Sequence, residues 1–177
     1  MGKIIAIVNQ KGGVGKTTTA VNLSAAAGAL GQAVLLVDMD PQGNSTSGYG
    51  INKRSVPAST YDVLINGVSV ESALVRTRFQ GVDLLPSAMD LAGAEVEMIA
   101  LSGREARLKE ALSPLRDAYD YIFLDCPPSL GLITINALCA CDAILVPIQC
   151  EYYALEGLSQ LMASVRQVKG LYNPAMV

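Results

Sequence analysis

The chain has 177 residues, 51% hydrophobic and 16% charged, which suits a single compact domain over residues 1–177 with a largely buried sheet. Its 13 Lys and Arg against 16 Asp and Glu give a formal charge of -3. That excludes a global attraction to nucleic acid or anionic lipid, so any DNA contact needs a local patch. No His is present, which rules out an imidazole base or metal ligand.

Apolar strand-like runs alternate with helical stretches, the pattern of a three-layer α/β/α fold with a mostly parallel sheet. Lys3–Val8 reads as the first strand and Thr17–Leu30 as a helix of small residues ended by Gly31. Ala33–Val37 is a second strand, followed by a polar loop over Asp40–Gly50. Thr60–Asn66 and Val70–Leu74 are short helical candidates parted by Gly67. Val82–Leu85 is a third strand, and Leu91–Ala118 is helical with a break near Ser102 and Gly103. Tyr121–Leu124, stopped by Pro127 and Pro128, is a fourth strand; Leu132–Cys139 is a helix, Ala143–Pro147 a fifth strand and Ala154–Lys169 a helix. Asn173–Val177 reads as a turn entering a further strand, so the expectation is a chain truncated at its C-terminal end.

The longest apolar runs are too short to span a bilayer, and nothing at the N-terminus reads as a targeting segment. Cys126, Cys139, Cys141 and Cys150 lack zinc spacing and are expected to be small apolar residues of a reduced, cytoplasmic protein.

Function is written between the first strand and the first helix. Lys11-Gly12-Gly13-Val14-Gly15-Lys16-Thr17-Thr18 is a glycine-rich turn that opens a helix. Its backbone N–H groups can face a phosphate, and the helix N-terminus adds partial positive charge. Lys16 can reach β- and γ-phosphates and Thr17 can ligate Mg²⁺. Position 10 is Gln where the usual phosphate-loop pattern has Gly. The segment instead resembles the deviant Walker A motif of the ParA/MinD/nitrogenase-iron-protein superfamily, in which an extra lysine precedes the glycines.

Two acidic segments complete the site. Tyr121–Asp125 is an apolar strand ending in a carboxylate, and Cys126–Gly131 after it resembles the D-x-P-P-x-x-G segment of that superfamily. Asp125 is thereby a Walker B acid that holds Mg²⁺. Asp38-Met39-Asp40-Pro41-Gln42-Gly43-Asn44 resembles the second acidic motif in the form typical of the ParA/Soj partitioning ATPases. Asp38 and Asp40, two residues apart on extended chain, point to one side.

The resemblance to the ParA/Soj family covers the whole chain. It implies ATP and Mg²⁺ as cofactors, with Lys11 reaching across a nucleotide-sandwich homodimer to the partner's phosphates. Asp40 orients the attacking water, Asp38 supports the metal and the loop, and the Pro41–Thr46 segment switches around the γ-phosphate. Glu151, in a segment resembling the family's dimer-face loop, either contacts Lys11 or ribose across the dimer or is a solvated acid at a helix start. A ParB-like activator, non-specific DNA in a longer protein and a nucleoid-associated cytoplasmic location are further implications; no stable membrane association is expected. The alternatives are a MinD-like membrane-positioning ATPase, an electron carrier like the nitrogenase iron protein, and a fragment unable to hold nucleotide.

Overall fold

The computed structural model describes residues 1–150 and 154–177. Six strands form one sheet: β1 (Lys3–Ile7), β2 (Val34–Asp38), β3 (Val75–Arg76), β4 (Val82–Leu85), β5 (Tyr121–Asp125) and β6 (Ala143–Leu145). Their order across the sheet is β3-β4-β2-β5-β1-β6. Among the described residues only β3 runs antiparallel, pairing Val75 with Leu84 and Arg76 with Asp83.

The helices are α1 (Lys16–Ala29), α2 (Asn44–Gly48), α3 (Val70–Ala73), α4 (Leu91–Glu97), α5 (Arg107–Leu112), α6 (Leu132–Ala140) and α7 (Ala154–Leu171). Successive strand residues point to opposite faces, so the sheet supplies two cores. Val34 and Leu36 join Ile7, Phe123 and Ala20 of α1 on one side. Leu35 and Val37 join Leu91, Leu108, Ile133 and Leu161 of α4, α5, α6 and α7 on the other. This is a three-layer α/β/α sandwich, as the alternation of elements predicts.

Helix α1 lies close to the sheet edge because its residues are small. A Cβ at Gly28 would run into the Gln80 carbonyl and the Val82 side chain. The close approach fixes the far end of the helix whose first turn forms the phosphate loop.

Three expectations need correction. The loop predicted over Asp40–Gly50 contains α2, because the Ser45 and Thr46 side chains find buried carboxylates to bind. The helical stretch predicted over Leu91–Ala118 is two short helices with 3₁₀ turns at Met98–Ala100 and Ser113–Leu115. Gly103, at φ 63°, and Pro114 interrupt it. Strand β3 was missed, being two residues long and of mixed burial. Of the two short helical candidates, Asp62–Asn66 is a single π-helical turn. At the C-terminus Val177 lies beside β6, donating to the Asp142 carbonyl at 2.9 Å and accepting from Ile144 N–H at 3.2 Å.

Candidate active site

Strands β2, β5 and β1 are neighbours, and all three point their C-terminal ends to one edge. In parallel α/β sheets that edge is where ligands bind. β1 delivers the glycine loop there, β2 delivers Asp38 and Asp40, and β5 delivers Asp125. Register pairs Asp38 directly with Asp125. Gly12, Gly13, Gly15, Lys16, Thr17, Thr18, Asp40, Gln42, Asn44 and Pro128 line a cleft of about 400 Å³. The sequence-predicted site residues outside the lining are Lys11, Val14, Asp38 and Asp125, which flank or floor it, and Glu151, which lies outside the described residues.

The loop geometry follows from its glycines. Gly13 and Gly15 adopt φ of 73° and 92°, a region that side chains with a Cβ rarely occupy. Gly15 precedes α1 with no side-chain cap, and the first turn carries no acid. The initial N–H groups of α1 are therefore left to an outside acceptor. Cβ atoms at Gly12, Gly13 or Gly15 would meet nothing within 4 Å. The space beside the backbone is open at the helix start, as phosphate oxygens require.

Lys16 is 7% exposed and its ammonium donates to the Lys11 carbonyl at 3.0 Å. Burial pulls its pKa below the usual lysine value, while Asp125 and Asp40 pull the other way. An ammonium held in a half-dry cleft beside an uncapped helix start is primed for anionic oxygens. Asn9 braces the loop from behind, accepting from Lys11 N–H at 3.0 Å and donating to the Pro147 carbonyl at 2.8 Å. Gln149 donates to the Gly13 carbonyl at 3.3 Å.

The two paired acids differ. Asp38 is fully buried and both its oxygens are engaged: Oδ2 accepts from the N–H and hydroxyl of Thr46 at 2.8 and 2.7 Å, and Oδ1 from Asp40 N–H at 3.2 Å. Burial nevertheless pushes its pKa up to about 7, against these hydrogen bonds and with help from Asp125. Of the two roles expected of Asp38, the contact to the loop is the one its hydrogen bonds display.

Asp125 accepts from Ser45 Oγ at 2.7 Å through Oδ2. Its other oxygen, Oδ1, is buried with no partner among the described residues. Burial raises its pKa, and the hydroxyls of Ser45 and Thr17 oppose that rise. A buried carboxylate oxygen without a donor, next to a threonine hydroxyl and a phosphate loop, fits a hard cation such as Mg²⁺. The same edge holds Cys126, fully buried, its thiol pKa pushed well up by burial; Cys139 and Cys141 are also buried, whereas Cys150 is exposed.

Sequence reasoning placed Ser45 and Thr46 in a switch loop without giving either a partner. It missed Asn9, Gln149 and Ser87. Asn9 sits two residues past β1 and Ser87 one residue past Pro86, in strand ends with no motif to mark them.

Strand, glycine loop, helix and two strand-end acids in this arrangement define a P-loop NTPase fold. Comparison with known proteins narrows the class. The AAA domain family AAA_31 matches residues 2–177. Over 173 residues the chain is 57% identical to the sporulation initiation inhibitor protein Soj of Bacillus subtilis, covering 98% of this chain and 68% of that protein. It is 52% identical to the chromosome partitioning protein ParA of Myxococcus xanthus, covering 98% and 62%. Among solved structures, cobyrinic acid a,c-diamide synthase from Mycobacterium smegmatis with bound ADP and magnesium superposes with a TM-score of 0.95 at 43% identity, over 99% of this chain and 71% of that one. The chain thus spans about two thirds of the length of these relatives. It belongs to the ParA/Soj family of P-loop ATPases.

Proposed function

We propose that this chain is the nucleotide-binding part of an ATP-driven DNA-segregation switch, forming one ATPase domain. The observation that carries the reading is the cleft between the uncapped start of α1 and the acids, with the Lys16 ammonium at its wall and the orphaned Asp125 Oδ1 beside it.

ATP and Mg²⁺ are the ligands. The backbone of Gly12–Thr18 and the Lys16 ammonium hold the phosphates, Thr17 and Asp125 hold the metal, and Asp38 supports it through the loop it binds. Mg²⁺, when bound, neutralises phosphate charge. Asp40 lines the cleft and orients the attacking water; such chemistry needs positioning and charge more than a strong base. The names of the Myxococcus xanthus relative, a chromosome partitioning protein, and of a structural neighbour, a plasmid partition protein from Borrelia burgdorferi, support the cargo reading, a chromosome or plasmid. In this reading Lys11 crosses to a partner's phosphates in an ATP-dependent homodimer, with Glu151 at the same dimer face. A ParB-like activator stimulates hydrolysis, and the longer protein binds DNA non-specifically on the nucleoid without stable membrane association.

Sedimentation with Mg-ATP, with phosphate release followed in parallel, tests the proposal. The wild-type protein should double its mass, and Lys11→Ala should weaken that association at least about tenfold, the loss of one charge-assisted contact. Association unaffected by Lys11→Ala refutes the crossing lysine, and absent phosphate release refutes the hydrolase.

A further inference from the structure

Ser87 follows β4, where Pro86 ends the ladder for want of an N–H. It is fully buried and belongs to none of the motifs. Its N–H donates to Thr46 Oγ1 at 3.0 Å, and that hydroxyl donates on to Asp38 Oδ2 at 2.7 Å. Its own hydroxyl donates to the Asp40 carbonyl at 2.7 Å. The same carbonyl accepts from Gly43 N–H at 2.8 Å, so both its acceptor sites are filled. Ser87 thus grips the backbone of Asp40 with its hydroxyl and the Asp38–Thr46 clasp with its amide, and no other described residue does both.

The cleft-lining Asp40 has little else to fix it. Its carboxylate accepts from Gln42 N–H at 2.9 Å within its own turn, and its N–H donates to Asp38 Oδ1 at 3.2 Å. Without Ser87 the Asp40 peptide itself keeps only its contacts to Asp38 and Gly43, the turn's other ties being Lys53 on the Gln42 carbonyl and, on either side, Met39 and Ser45 on Asp125.

We infer that Ser87 is the positioning residue for Asp40, holding the water-orienting carboxylate in register with the phosphate loop. The inference rests on the reading of Asp40 given above. Ser87 touches neither nucleotide nor metal in this role. It acts through the peptide of Asp40.

Ser87→Ala removes one hydroxyl, adds no bulk, and leaves the Asp40 carbonyl its Gly43 donor, so the fold should survive. Turnover should fall about tenfold with the Mg-ATP dissociation constant changed less than about twofold, since sub-ångström misplacement costs rate before affinity. In an Asp40→Ala background the same change should cost no further turnover. Amide exchange of Gly43, read by NMR or mass spectrometry without nucleotide, should speed up in Ser87→Ala. An equal loss of rate in both backgrounds, or a matching loss of affinity, makes Ser87 merely structural and overturns the inference. Unchanged Gly43 exchange overturns it too, even if the wild-type protein proves not to hydrolyse ATP, an outcome that would count against the hydrolase reading separately.

Discussion

The phosphate loop and the acid-bearing edge facing it are built by opposite means. The loop is almost all backbone: two glycines at positive φ, a helix start left uncapped, and one lysine folded back on the Lys11 carbonyl. The acid edge is almost all side chain: Asp38, Thr46, Thr60, Ser87, Ser45 and Asp125 interlock through hydrogen bonds of 2.7–3.2 Å. One half leaves the uncapped N–H groups of its helix start for a ligand. The other spends nearly all its donors on itself and leaves one buried acceptor, Asp125 Oδ1, without a donor among the described residues. A nucleotide site needs both, a half that offers positive groups and a half stiff enough to hold negative ones in place.

Three perturbations sharpen or break that contrast. Lys16→Ala removes the only Lys or Arg among the described residues that line the cleft. Titration calorimetry with Mg-ATP should show affinity lowered at least about 100-fold, the equivalent of two charged hydrogen bonds, in a protein that still melts cooperatively. A loss below about tenfold would mean that backbone alone carries the phosphates.

On the acid side, Thr46→Val keeps the volume and deletes the hydroxyl between Asp38 and Ser87. It strands the buried Ser87 N–H and one side of the Asp38 carboxylate. Urea unfolding without nucleotide should report a loss of roughly 2–3 kcal/mol. An unchanged midpoint would show that the interlock is ornamental.

The smallest effect concerns pH. Folding raises the Asp38 pKa from 3.8 to about 7, so the folded state binds this proton more tightly than the unfolded chain does. The associated stability is fully present below about pH 4 and is lost as pH rises through about 7. The slope from this one group is at most about 1.4 kcal/mol per pH unit. Metal-free wild-type protein should lose more stability between pH 5 and pH 7 than Asp38→Asn does. Parallel pH profiles for the two would remove Asp38 as the titrating group.

The same contrast explains what could be read from residues in order. Lys11–Thr18 is contiguous, and its conformation is dictated by glycines and a helix start, so the loop and its neighbouring strand and helix were legible within a residue or two. The strand-end acids were legible as well, because an apolar strand running into Asp is local. The interlock was not. Thr46 meets Ser87 across 41 residues and Ser45 meets Asp125 across 80, and single serines and threonines carry no periodic signal. The missed α2 has the same origin: Asn44–Gly48 has the composition of a loop and is helical because buried carboxylates hold it there. The overlong helix over Leu91–Ala118 erred the other way. Its apolar spacing continues through residues where Gly103 and Pro114 break the hydrogen-bond ladder.

The strand order has a practical consequence for altering this molecule. Because β2, β5 and β1 lie side by side, the binding edge is assembled from neighbours; Lys53 props it by donating to the Gln42 carbonyl, whereas the exposed turns at Arg54, Ser55 and Pro57 add no group to it. A fluorophore tag or a binding peptide grafted into those turns, with Lys53 kept, would sit outside the cleft lining and report on the ATPase from its surface.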